Sequence, residues 1–219
     1  MLIVTAVAGF KPKCINIIKT HAMKLTEKIL ALITICSIAG SIFLIPGTGV
    51  LLMLSSLCLL ILYFYFSFAL FNNIRLRKIF KSESYQDVSR QRITGAIGAG
   101  LAISAGLCGI LFKLQSWPGA SFNLYAGIIT LFIVSLVALV KYRRNKSQFY
   151  EKILVRTTVV FIVVFTLVML PKDALLDFKY RNHPGYLNAV KEARSNPLNE
   201  ELLNRLIEER EKMYEEQVK

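Results

Sequence analysis

The sequence predicts an all-α membrane protein: two tandem transmembrane helical hairpins, a fifth span and a small helical extramembrane tail. Three observations lead there. Of 219 residues, 54% are hydrophobic and only 19% are charged, and the mean hydropathy is +0.51, outside the range of ordinary soluble domains. From Ile29 to Ile74 there is no charge in 46 positions; a helix crosses the hydrocarbon with about 20 apolar residues, so this stretch holds two crossings. The apolar runs are also long and continuous, unlike the alternating ten-residue strands of a membrane barrel.

Residues 1–28 form a basic N-terminal segment carrying Lys11, Lys13, Lys19, Lys24 and Lys28. Met1 to Phe10 is apolar but lacks a leading positive region and a small-residue cleavage site, so it reads poorly as a signal peptide. Met23 to Lys28 resembles a more natural start, which leaves 1–22 as an interfacial piece or an upstream extension. Residues 29–71 make the first hairpin, with spans of about 29–46 and 49–71 reversed at Pro46-Gly47-Thr48. A basic loop, 72–92, follows. Residues 93–140 make the second hairpin, with spans of about 93–114 and 121–140 reversed between Gln115 and Ala120. A second basic loop covers 141–156. The fifth span, 157–171, is short, and crosses only if Ile153 to Val155 join it and Arg156 snorkels to the interface.

Charge orients these spans. Eighteen of the Lys and Arg precede residue 172, and all but Lys113 lie in the N-terminal segment or the two basic loops. By the positive-inside rule those parts face the cytoplasm, and the two tight turns and the tail face outward. Residues 172–219 hold 9 basic and 10 acidic residues, whereas the rest hold 18 and 4. The formal charge of +13 therefore belongs to membrane orientation. The basic and aromatic patch at 141–156 reads as a juxtamembrane anchor on anionic lipid, not a nucleic-acid site.

The tail predicts a short helix from Tyr186 to Arg194, ended by Ser195-Asn196-Pro197. A second helix follows, capped by Asn199 with Glu200 and Glu201 in its first turn. Leu202, Leu203, Leu206 and Ile207 form an apolar stripe at helical spacing. It packs on the rest of the protein or docks a partner.

Small residues mark a packing face on the third span: Gly98, Ala102, Gly106 and Gly109, with Gly95 and Ala99 in a second row. Such rows let helix backbones approach closely in lipid. The face meets another helix of this chain or of a second copy. Tyr63, Phe64, Tyr65, Phe66, Phe68 and Phe71 read as an aromatic belt at the inner interface.

The hairpins echo one another. Gly40-x-x-Phe43 precedes Pro46-Gly47-Thr48, and Gly109-x-x-Phe112 precedes Pro118-Gly119-Ala120. The second string, Phe112-Lys113 with Trp117-Pro118-Gly119-Ala120, resembles the membrane hairpin of GldL, the gliding-motility and type IX secretion motor family of Bacteroidetes. The resemblance covers about 98–140. It implies an inner-membrane hairpin whose turn faces the periplasm and which assembles around a partner subunit. That family carries a glutamate in the second helix after a Gly-x-x-Thr stretch. Here the stretch is Gly127-Ile128-Ile129-Thr130, followed by Leu131. With no acidic residue expected in any of the five spans, the family's proton-driven activity does not carry over.

Lys113, Trp117, Pro118 and Gly119 form the candidate functional turn. Lys113 either snorkels beside the Trp117 anchor or serves an ion or ligand. Cys36, Cys58 and Cys108 fall in spans and Cys14 in the basic segment, without zinc or redox spacing. His21 and His183 stand far apart. No P-loop, dinucleotide fingerprint or hydrolase motif is present. The expectation is a non-enzymatic assembly or scaffold subunit with no cofactor, metal or small-molecule substrate, whose partners are the lipid bilayer and a second copy or another membrane subunit. The alternative is a component of an ion-driven complex or a small transporter working at Lys113.

Overall fold

The computed structural model describes residues 12–74, 79, 81–86, 88–171 and 173–218, and their side chains apart from 12–22, 82–83 and 217–218. The N-terminal eleven residues, most of the basic run 75–80 and the side chains of Cys14 and His21 lie outside that description.

Five long helices carry the bundle: α1 (Pro12–Ile42), α2 (Thr48–Phe71), α3 (Arg90–Leu114), α4 (Ala120–Asn145) and α5 (Gln148–Met169). All five have a stretch long and apolar enough to cross a membrane, which in α1 is Met23–Ile42. Three shorter helices form the tail: α6 (Ala174–Lys179), α7 (Pro184–Ser195) and α8 (Glu200–Val218). Among the described residues there is no strand. The chain is an all-α membrane protein.

The helices run well past the apolar runs. The 141–156 stretch is not a loop: α4 continues to Asn145 and α5 begins at Gln148. The reversal needs only Lys146, in a left-handed conformation at φ 44°, and Ser147, whose hydroxyl accepts from the Phe149 N–H. Hydrocarbon thickness limits the apolar part of a helix, not its length, so Lys and Arg extend it into the headgroups at little cost. This absorbs Ile153 to Val155 into α5 and gives it 22 residues, enough to cross.

Helix α3 is central. It packs on α2, α4 and α5, and 61% of its apolar window is buried against 22–28% for the other four. Glycine makes this closeness feasible. A methyl at Gly127 would stand 2.9 Å from the Gly106 Cα, and one at Gly100 would stand 2.4 Å from the Tyr63 carbonyl oxygen. Polar pairs add links between helices. The Thr34 hydroxyl donates to Ser55 (3.1 Å), Ser104 to the Leu60 carbonyl (3.3 Å) and Ser135 to Thr157 (2.9 Å). Each such bond within a membrane contributes about 0.6 kcal/mol.

The two hairpin turns share one conformation. Leu44 and Ser116 have φ of 57° and 59°, and Gly47 and Gly119 have φ of 81° and 80°. The Ile45 N–H donates to the Gly40 carbonyl (3.0 Å) as the Trp117 N–H donates to the Phe112 carbonyl (2.9 Å). The register differs from the sequence echo. The turn equates Gly40 with Phe112 and Phe43 with Gln115, so the two Gly-x-x-Phe strings are not equivalent. Only the Pro-Gly reversal, where glycine's freedom at positive φ is needed, recurs.

Candidate functional site

Two polar constellations stand at opposite ends of the bundle. The first begins at Glu27, within the Met23–Ile42 stretch of α1. Its carboxylate accepts from both arms of Arg156 on α5, Nε to Oε1 at 2.6 Å and Nη2 to Oε2 at 2.7 Å. The Tyr63 hydroxyl, on α2, donates to the same Oε1. The guanidinium carbon of Arg156 lies 5.3 Å from the Phe71 ring centre, and Arg156 Nη1 donates to the Lys152 carbonyl at 3.4 Å. The Glu27 and Arg156 side chains are only 12% and 21% exposed. Three helices thus meet at one neutralised charge pair.

This arrangement corrects three readings of the sequence. The apolar stretch of α1, Met23–Ile42, starts before the expected 29 and so takes in an acid, Glu27. Arg156 is not an unpaired charge, because Glu27 supplies its counter-charge. Tyr63 and Phe71 leave the aromatic belt for the core, at 6% and 2% exposure, while Phe64 and Tyr65 stay outside at 46% and 62%. The missed signal was extension of the helices beyond the apolar runs, which brings one of the few acids before residue 172 opposite an arginine. Close by, Arg92 donates to the Ser147 hydroxyl at 3.1 Å and lies over the Phe149 ring, fastening α3 to the α4–α5 turn.

The second constellation joins the hairpin turns to the tail. The Gln115 amide donates to the Gly49 carbonyl at 2.9 Å, linking one turn to the other. Lys179 Nζ donates to the Ser41 hydroxyl at the end of α1 (3.2 Å), and Arg194 to the Ser116 carbonyl (3.4 Å). The tail is itself fastened. Lys191 pairs with Asp177 and Arg205 with Glu192, both at 2.6 Å, and Arg194 with Asp173 at 3.4 Å. Asn199 caps α8 as expected, accepting from Glu201 and Leu202 N–H. A cavity of about 420 Å³ remains between the tail and the membrane ends of α1, α2 and α3. Burial in that region pulls the Lys179 ammonium below its ordinary value and raises the Tyr180 and Tyr186 phenols.

Searches of protein-family models, curated proteins and solved structures gave no match.

The other residues singled out in the sequence are dispersed. Lys113 is half-buried near the end of α3 and has no carboxylate partner among the described residues. Trp117 lies edge-on to Phe112, with ring centres 5.2 Å apart, and is 39% exposed. Pro118 is exposed, and Gly119 supplies the left-handed residue before α4. On the packing face, Gly106 and Gly109 press on α4. Gly98 meets nothing within 4 Å and lines, with Ala102, a shallow apolar groove between α2 and α4. The tail stripe is also split. Leu203 and Leu206 border the cavity under the tail and Leu202 is half-buried, whereas Ile207 is 45% exposed. Leu131, where the resemblance would place an acid, is fully buried and faces Gly106. Among the described residues no three of His, Cys, Asp and Glu gather as a metal site.

Proposed function

We propose that this chain is a non-enzymatic assembly subunit of the bacterial inner membrane. Its basic ends lie in the cytoplasm and its helical tail in the periplasm. The positive-inside bias supports the orientation, and the GldL-like hairpin supports the compartment. One observation carries the scaffold reading: the tail is bonded to the end of α1 and to the second hairpin turn while Leu198 and Ile207 stand 92% and 45% exposed upon it. A rigidly held platform with exposed apolar side chains suits a protein partner better than it suits catalysis. The test is a photo-crosslinking residue at position 207 in cells. A single discrete protein adduct, lost in Leu198→Glu, supports the reading; crosslinks to lipid alone overturn it.

A second reading, a component of an ion-driven complex, gains support from the carboxylate of Glu27 within the Met23–Ile42 stretch. It moves the candidate working residue from Lys113 to Glu27. Replacing Glu27 and Arg156 together by glutamine separates the two: a scaffold keeps its adduct at position 207, and an ion-driven device loses ion flux in liposomes.

A further inference from the structure

The cavity beneath the tail holds a cation with no counter-charge among the described residues. Lys179 is half-buried, and its ammonium reaches a neutral hydroxyl, that of Ser41, at 3.2 Å. It also lies 5.3 Å from the Tyr180 ring centre. The two acids nearest in the chain are engaged elsewhere, Asp173 with Arg194 and Asp177 with Lys191. Arg194 lines the same cavity, as does the side chain of Gln115. A half-buried ammonium is costly without an anion, because desolvation penalises its charged form; its lowered pKa agrees. The membrane side of the cavity is of opposite character, made by Ile38, Ile42, Leu52 and Leu114 at the ends of three spans.

We propose that this cavity binds an acidic phospholipid of the surrounding bilayer, its phosphate by Lys179 and Arg194 and an acyl chain along Ile38, Leu52 and Leu114. A free anion would satisfy the cations but leave the apolar wall wet. A neutral lipid would cover the wall but leave the ammonium unpaired. The volume, about 420 Å³, falls within the range of small-molecule sites, and suits a headgroup with the upper part of one chain. The occupant would also complete the tail's attachment, since Lys179 and Arg194 bond it to the end of α1 and to the second hairpin turn.

The experiment is native mass spectrometry of the full chain in mild detergent, titrated with phosphatidylglycerol, phosphatidylcholine or inorganic phosphate. Lys179→Gln removes the charge and keeps a donor for Ser41; Lys179→Arg keeps the charge; Lys191→Gln removes a lysine outside the cavity. We expect one phosphatidylglycerol retained by the parent protein, Lys179→Arg and Lys191→Gln, a loss of at least fivefold in Lys179→Gln, and no matching retention of phosphatidylcholine. Equal retention in Lys179→Gln and Lys191→Gln, or displacement of the lipid by inorganic phosphate, would overturn the proposal. An elution profile matching the parent's shows that Lys179→Gln is folded. Should it be misfolded, retention of both lipids alike by the parent protein decides against the proposal.

Discussion

Glu27 and Arg156, 129 residues apart in the chain, form a two-point ion pair that joins the first span to the last. Tyr63 completes it from the second span. A guanidinium and a carboxylate matched in this way lose water but keep their hydrogen bonds. Removing one partner strands the other charge in a poorly solvated place, at about 3–5 kcal/mol. We therefore expect Arg156→Met to lower the unfolding midpoint in detergent sharply, and Glu27→Gln with Arg156→Met to recover much of the loss. A double variant as damaged as the sum of the two single ones would remove the pairing from the account.

Glycine placement gives a second prediction. Gly98→Ala meets open space, whereas the new methyl of Gly100→Ala would lie 2.3 Å from Ser67 Cβ and 2.4 Å from the Tyr63 carbonyl oxygen. The first should shift stability by less than about 0.5 kcal/mol. The second should cost about 1–3 kcal/mol as α2 and α3 are forced apart. Yield and thermal midpoint of the two variants, measured side by side, check the ranking.

Much of the architecture was legible in the sequence because bilayer thickness dictates apolar length. The Pro-Gly reversals were legible for a local reason, the left-handed residues at Gly47 and Gly119. What escaped was pairwise. Gly100 and Gly127 look no different from Gly98 until their neighbours are known. Glu27 sits just outside an uncharged run and so reads as part of a basic terminus. Its meeting with Arg156 depends on both helices overrunning their apolar cores, which no local pattern records. Lys179 likewise reads as an ordinary tail lysine until α6 folds back onto Ser41.

In lipid-free protein, where no phosphate stands beside Lys179, the tail should respond to alkaline pH in two opposite phases. The docked Lys179 has a lowered pKa, so between that value and the ordinary 10.5 it holds fewer protons than the undocked form; docking gains stability as pH rises through that window. The docked Tyr180 and Tyr186 have raised values, so above the ordinary 10.0 they keep protons that the undocked tail loses, and docking weakens. The chain's single tryptophan, Trp117, follows Ser116, which accepts from Arg194, and its emission reports the docking. We expect Lys179→Gln to abolish the rising phase and leave the fall above about pH 10.

Leu131 tests the limit of the GldL resemblance. It is fully buried, with 0% accessible surface and Gly106 beside it. A glutamate there would place a carboxylate at a fully buried position of the bundle, at a cost of at least about 2.5 kcal/mol. Leu131→Glu should therefore depress accumulation of folded protein, read by detergent size-exclusion profile. A well-folded Leu131→Glu would mean that this helix tolerates the acid that the resemblance calls for.

The central claim is a bilayer-spanning bundle with the α4–α5 turn on one side and the tail on the other. The most direct test is cysteine labelling in intact cells and inverted vesicles, with the four native cysteines replaced and either Arg144→Cys or Glu208→Cys added. The account predicts that an impermeant maleimide reaches position 208 from the periplasmic side alone and position 144 from the cytoplasmic side alone. Labelling of both from the same side would contradict it.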